Sequence, residues 1–378
     1  MVRRIAAEYL ASVIGRPRTI YVSYRVKGIS LVNRVSNDVI VRRARLVEGH
    51  IYGKPLDEYA GLKILGSKGN LESDLIATKR NTNNIVSMEI NVDEIPGPRF
   101  VVDVRYYDLH RNDEKVSLIE QMRLITALLR DYLTERHYII TSANDGFIRD
   151  FLKSGYDFRG VIVTKRFNEL LNKRETAVLD PLGEIDFDKS ILNEYKYFVI
   201  GGIVDKGTRF RGFTSKMAGD FDRVRISLMG DIKGVPDRIN RIAEIIVYLY
   251  CEVARSVEEA IKLAQAPIIA RKRLPVEIKR KAIRFELFGR RWYAISISEY
   301  EELHSLMNFR DEDIEKVLDR DLLIITDELY RRITSSMKFE SFGREVYLPT
   351  SISREYFLQN VIKVIGKPKD GASYEDLR

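Results

Sequence analysis

Tyr197-Phe198-Val199-Ile200-Gly201-Gly202-Ile203-Val204-Asp205-Lys206 runs an apolar segment into two glycines, then a carboxylate, then the basic loop Lys206-Gly207-Thr208-Arg209-Phe210-Arg211. Four apolar residues ending on glycine have the length and composition of a strand buried on both faces. Glycines at the C-terminal end of such a strand let a ligand approach the main chain, and in a parallel sheet that end is where sites form. A carboxylate three residues later, among Lys and Arg, suits proton handling near a polyanion. The same pattern also occurs in ordinary loops, so by itself it leaves a purely structural turn open.

Around this segment the chain alternates strand and helix. Arg99–Val104 reads as a buried-type strand, and Tyr138–Thr141, Gly160–Thr164, Ala177–Leu179 and Tyr197–Ile200 read as further strands. Ser117–Leu133 reads as an amphipathic helix and Asp237–Glu252 as a long final one. This rhythm predicts a mostly parallel α/β sheet with helices on both faces, over residues 95–273.

A distinct module is expected over residues 1–92. Residues 1–90 hold 15 Lys/Arg against 8 Asp/Glu, most of the chain's formal excess of +8. A basic segment of this kind points to a polyanion, nucleic acid being the commonest, with a solvated surface as the plain alternative. Thr19–Val26 and Asp38–Arg45 read as short strands. The second would present Arg42 and Arg43 outward as phosphate contacts. Residues 275–378 form a third part with an internal repeat. Arg284-Phe285-Glu286-Leu287-Phe288-Gly289-Arg290 with Tyr293 returns as Lys338-Phe339-Glu340-Ser341-Phe342-Gly343-Arg344 with Tyr347. A duplicated strand–turn–strand unit in an accessory α+β domain is expected there.

Several function classes are excluded or unsupported. No apolar run reaches the roughly 18 residues of a membrane helix, so no membrane association is expected. The beginning of the chain lacks the pattern of a secretory leader, which suggests a cytoplasmic protein. One cysteine, Cys251, allows no internal disulfide and no cysteine-built zinc site. His50, His110, His137 and His304 lack metal spacing, so no metal is expected and none of the four is given a role. A GxGxxG fingerprint is absent, which argues against a Rossmann-type dinucleotide or methyltransferase domain.

Three ordered segments carry a resemblance. Val101-Val102-Asp103 is followed by Glu114-Lys115-Val116-Ser117-Leu118-Ile119-Glu120-Gln121; then comes Ile200-Gly201-Gly202-Ile203-Val204-Asp205. The third is Arg225-Ile226-Ser227-Leu228-Met229-Gly230-Asp231, leading to Ile239-Asn240-Arg241-Ile242-Ala243-Glu244-Ile245. Together they resemble the archaeal tRNA purine-9 N1-methyltransferases of the SPOUT class, with Ser227 standing where proline is usual. That resemblance implies a trefoil-knotted fold, S-adenosylmethionine as cofactor, tRNA as partner and a monomeric enzyme. It implies cofactor contacts at Leu179, Gly201, Gly202, Ile226, Leu228, Asp237 and Ile239. Asp205 matches the family's proposed general base, with Asp103, Asp237 and Gln121 as further catalytic candidates. Arg123 and Arg130 fall seven apart on one helix face and, with Lys206, Arg209 and Arg211, could hold the tRNA backbone. Two other readings stand beside this one: a SPOUT enzyme acting at another RNA position, and a non-catalytic RNA-binding protein keeping the fold.

Overall fold

The computed structural model describes residues 1–15, 18–82, 85–205, 209–318, 320–341 and 344–366. The chain gathers into two compact units, Met1–Ser227 with Asp237–Ala260, and Leu228–Pro236 with Ile261–Arg378. The first ninety-odd residues thus share one unit with the sheet that follows them.

That opening module comprises α1 (Ile5–Ile14), β1 (Arg18–Val22), α2 (Leu31–Ile40), β2 (Arg45–Glu48), β3 (Tyr52–Tyr59), β4 (Leu62–Glu72) and β5 (Leu75–Thr78). Its sheet runs in the order β2-β5-β1-β4-β3. Leu10 and Ala11 of α1, Val32, Val35 and Val39 of α2, and Ile20 and Ile64 of the strands close over one apolar core. The strand expected at Asp38–Arg45 is instead the end of α2, a turn, and the start of β2. Val32, Val35 and Val39 recur at helical spacing, and burial of that stripe overrides the short alternation at Val39 and Val41. Arg42 takes the left-handed conformation, φ 58°, as the chain leaves the helix.

The module is bolted to the central helix α3 (Asn112–Tyr132), which ends beside α2. Asn33 donates to the carbonyls of Arg130 and Leu133 at 2.9 Å each, satisfying acceptors at the helix end that have no partner within the helix. One turn on, Asn37 Oδ1 accepts the Glu135 N–H at 2.9 Å. Arg34 makes a two-pronged pair with Asp131, at 2.7 and 2.6 Å.

The central sheet is built from β6 (Arg99–Asp103), β7 (Tyr138–Thr141), β8 (Val161–Ile162), β9 (Thr176–Leu179), β10 (Ile185–Asp186), β11 (Tyr197–Gly201) and β12 (Asp222–Arg225). Its order is β10-β12-β9-β11-β6-β7-β8, and all its pairings are parallel. Besides α3, the helices α4 (Asp145–Lys153), α5 (Phe167–Leu170), α6 (Ile191–Glu194), α7 (Phe213–Ala218) and α8 (Ile239–Tyr250) belong to this part. Val101, Val178 and Val199 from three adjacent strands pack with Phe167, Met217 and Phe221. Strands β10 and β12 carry no apolar run. Arg223 and Arg225 of β12 pair with Glu184 and Asp186 alongside β10, so charge pairing takes the place of apolar burial there.

The chain passes through α9 (Val257–Ala264) into α10 (Pro267–Lys281) and the second unit. There β13 (Ile283–Leu287), β14 (Arg290–Ser296), α11 (Ile297–Leu306), α12 (Asp311–Glu315) and β15 (Leu322–Ile325) come first. After α13 (Asp327–Thr334) follow β16 (Met337–Glu340), β17 (Glu345–Leu348), α14 (Arg354–Asn360) and β18 (Val361–Ile365). The hairpins β13–β14 and β16–β17 are the two copies of the repeat, each followed by a serine-capped helix: Ser296 caps α11 and Ser353 caps α14. Phe342 and Gly343 of the second turn lie outside the described residues. The sheet order β16-β17-β13-β14-β15-β18 sets β17 directly beside β13. Among the described residues no helix is long and apolar enough to cross a membrane, and no group of three or more His, Cys, Asp or Glu is placed to hold a metal.

Candidate active site

Register brings the sheet's loops out along one edge. Gly201 lies opposite Asp103, Ile200 opposite Leu179, and Leu179 opposite Val224, so β6, β9, β11 and β12 end nearly level. The Gly202 N–H donates to the Asp103 carbonyl at 2.8 Å, and the Ile203 N–H turns back onto the Gly201 carbonyl at 2.7 Å. A Cβ on Gly202 would stand 2.8 Å from the Asp103 carbonyl oxygen and 3.0 Å from Val104 Cγ1. The close approach that demands glycine here is therefore that of the neighbouring strand. Gly202→Ala is expected to destabilise by about 1–3 kcal/mol, because main chain cannot yield as a side-chain tip can. Thermal unfolding checks this, and an unchanged midpoint would contradict it.

Beyond the glycines the loop folds around Asp205. Its Oδ2 accepts the Phe210 N–H at 2.9 Å, and the residue is half-buried. Phe210 is buried between His110, at 5.0 Å between ring centres, and Phe213, at 5.3 Å. Phe213 in turn stands edge-on to Tyr106 at 4.9 Å. The Val204 N–H donates to His110 Nε2 at 3.0 Å. Aromatic residues from the turn after β6 thus support the loop after β11. His110 had no role on sequence grounds, since its partner lies 94 residues away and no local pattern announces the contact.

Two of the other expected catalytic residues, Asp103 and Gln121, have structural work. Asp103 is fully buried and accepts from the Arg105 main chain and guanidinium, from Thr141 Oγ1 and from Ser142 Oγ. A carboxylate with five such donors is a brace between β6 and β7, not a proton acceptor for a ligand. Gln121 Oε1 accepts the Ile239 N–H at 3.0 Å and its amide donates to Ser117, so it caps α8 from α3. Asp237 is exposed, two residues before α8.

Of the expected cofactor contacts, Leu179 and Gly201 sit at strand ends, Gly202 and Ile226 just past them, and Ile239 opens α8. Leu228 belongs to the second unit, its N–H on the Asp231 carbonyl.

Basic residues divide sharply. Arg43 contacts Asp38, Glu135 and Asp157 at 2.7–2.8 Å. Arg130 donates to Glu135 at 2.6 Å and to the Asp157 carbonyl at 2.9 Å. Both are committed to holding the unit together, contrary to their expected phosphate role. Arg209 pairs with the buried Glu114 at 2.6 Å, which neutralises its charge. Lys206 lies outside the described residues. Arg42 and Arg211 are exposed, and Arg123 is exposed with a loose 3.4 Å contact to Glu120. Arg136, unremarked in the sequence, has its pKa lowered by burial and then by the Arg42 charge; the Glu135 charge opposes this, and Arg159 adds a smaller lowering.

The chain is similar to several known proteins. The family model described as tRNA (guanine(9)-N(1))-methyltransferase TRM10/TRM10A matches residues 67–223. A tRNA (guanine(9)-/adenine(9)-N1)-methyltransferase of Thermococcus kodakarensis is 34% identical over 250 residues, covering 62% of this chain and 65% of that protein. Over these residues the chain is similar to the Trm10 family. A tRNA (adenine(9)-N1)-methyltransferase of Sulfolobus acidocaldarius is 29% identical over 227 residues, 59% of this chain and 72% of that protein. The crystal structure of Sulfolobus acidocaldarius Trm10 with S-adenosylhomocysteine superimposes with a TM-score of 0.58 at 24% identity, over 82% of this chain and 95% of that one. It shares the Trm10 fold, a mostly parallel α/β sheet. The alignment spans just under two thirds of the Thermococcus relative's length.

Proposed function

We propose that this chain transfers a methyl group from S-adenosylmethionine to N1 of the purine at position nine of tRNA. The observation that carries this reading is Asp205, held half-buried at the sheet edge where the loops after β9, β11 and β12 emerge. The ends of those strands, with the start of α8, would line the trefoil-knotted pocket of the SPOUT class. The cofactor brings a sulfonium methyl group, an electrophile with its own leaving group. The residues suit such a ligand. Leu179, Ile226 and Ile239 are apolar and nearly buried, fit to cover adenine. Asn240 Oδ1, next to Ile239, is buried without a hydrogen-bond partner among the described residues, an acceptor for an amino group.

Asp205 acts on the base. Guanine N1 carries a proton that must leave as the methyl group arrives, and a carboxylate within about 3 Å can accept it. Adenine N1 has no proton to lose, and methylation leaves a cation that the same carboxylate stabilises. A single chain carries out turnover in this account; sedimentation of the enzyme–tRNA complex tests it.

Arg42, Arg123 and Arg211 are the phosphate contacts we assign. Replacing Arg42 or Arg211 by alanine is expected to weaken tRNA binding and lower the slope of log affinity against log salt by about one each. Arg43→Ala should leave that slope unchanged and lower stability instead. Equal slopes in all three variants and the parent would contradict the assignment. The activity itself is tested by transfer of labelled methyl to unmodified tRNA transcripts. Label should enter transcripts with A or G at position nine and not those with a pyrimidine there. Equal labelling of both would move the target elsewhere in the RNA.

A further inference from the structure

We propose that His110 is a positioning residue: as a neutral imidazole it holds the Gly201–Asp205 loop in the shape that aims Asp205. This rests on the reading of Asp205 as the carboxylate that serves the base. The two polar contacts of the ring define its proton state. Nδ1 faces the Tyr107 carbonyl at 3.2 Å, and a carbonyl only accepts, so Nδ1 carries the hydrogen. Nε2 receives the Val204 N–H at 3.0 Å, which requires its lone pair. An imidazolium has hydrogen on both nitrogens and would set N–H against N–H at Val204.

The ring also touches the far side of the loop. Its ring centre lies 5.0 Å from that of Phe210, the two rings tilted, and the Phe210 N–H donates to Asp205 Oδ2. His110 therefore holds the chain one residue before Asp205 and packs on the residue that binds the carboxylate. Its own footing is firm. Tyr107 packs edge-on against Phe147 at 5.2 Å and its hydroxyl donates to Asp150 at 3.0 Å, fixing the turn to α4.

The surroundings keep the ring neutral. Burial lowers its pKa and outweighs the hydrogen bonds to the Tyr107 and Tyr106 main chain and the Glu114 charge, which oppose it; the Arg209 charge adds a smaller lowering. A histidine with a lowered folded pKa contributes its stabilisation fully above the ordinary value of about 6.5. That contribution is lost as pH falls from there through the folded value. The loop is thus expected to loosen in mild acid.

The test compares the full-length protein with His110→Gln and His110→Leu. Glutamine returns an acceptor near the Nε2 position and does not titrate; leucine keeps apolar bulk without an acceptor. Amide hydrogen exchange, corrected for intrinsic rate, is read on the segment 203–205 as pH is lowered. In His110→Leu, protection there should fall by about tenfold or more at neutral pH, the change expected on losing the hydrogen bond. The turnover number with guanine-9 tRNA should fall by about 10- to 100-fold with little change in the KM for S-adenosylmethionine, the cost of a carboxylate displaced by an ångström. His110→Gln should keep the protection and most of the turnover, and lose the decline that the parent shows below about pH 6.5. Parent-like protection in His110→Leu would overturn the proposal, as would a glutamine variant as impaired as the leucine one. If the parent transfers no methyl to tRNA, the reading of Asp205 fails, while exchange still decides whether His110 holds the loop.

Discussion

Asp205→Asn is expected to lower guanine-9 N1 methylation by about 10²- to 10⁴-fold, the usual contribution of a positioned general base. Adenine-9 methylation should fall much less. The difference comes from the substrates: only guanine N1 has a proton to give up, so only its reaction needs a base. With adenine the carboxylate stabilises a developing charge, and asparagine still presents a carbonyl oxygen there. Asparagine is nearly the same size, and its Oδ1 can accept the Phe210 N–H as Oδ2 does in the parent. Loop shape and cofactor affinity should therefore persist. Single-turnover rates on the two transcripts, with S-adenosylhomocysteine affinity measured beside them, decide the matter. Equal losses on both bases would assign Asp205 to building the loop.

Glu135→Ala is expected to cost about 3 kcal/mol, the lower end for breaking a buried ion pair. Glu135 is fully buried and receives Arg43, Arg130 and the Arg159 N–H, at 2.8, 2.6 and 2.9 Å. Removing it leaves Arg130 without its carboxylate, whereas Arg43 keeps Asp38 and Asp157, which limits the loss. The pair joins the opening module to the sheet, so the whole first unit should melt earlier, by roughly 10 °C. Burial alone would raise the Glu135 carboxyl pKa, but hydrogen bonds from Arg43 and Arg130 override it and hold the pKa below the ordinary value. Stability from this group is complete above about pH 4.3 and is lost as pH falls through the folded value. The gap between parent and variant should accordingly narrow in acid. A gap that stays constant from pH 7 to pH 3 would contradict this account of the charge.

What the sequence made legible follows from how each element is stabilised. The strands at Arg99, Tyr138, Ala177 and Tyr197 are buried on both faces, and such strands show as continuous apolar runs. Strands β10 and β12 rest on arginine–carboxylate pairs, which leave no hydrophobic trace. The C-terminal hairpins were visible because the repeat writes the same strand–glycine–strand pattern twice. Helix α2 was hidden because its valine stripe overlaps a two-residue alternation at its end. In the site, the Gly201–Asp205 segment was legible since its chemistry is contiguous in the chain. The brace beneath it was not, because His110 meets Val204 only after five strands and four α-helices have folded between them. Charge misled for a related reason. Arg43 and Arg130 look like phosphate contacts in one dimension, while Glu135 and Asp157, which claim them, become neighbours only in three.

The central claim is a site that methylates N1 of the ninth nucleotide. The most direct measurement is digestion of guanine-9 and adenine-9 tRNA transcripts after reaction with S-adenosylmethionine, with the modified nucleoside and its position read by mass spectrometry. The account predicts 1-methylguanosine, 1-methyladenosine or both, at position nine and nowhere else. A methyl group at another nucleotide, or none despite cofactor binding, would contradict it.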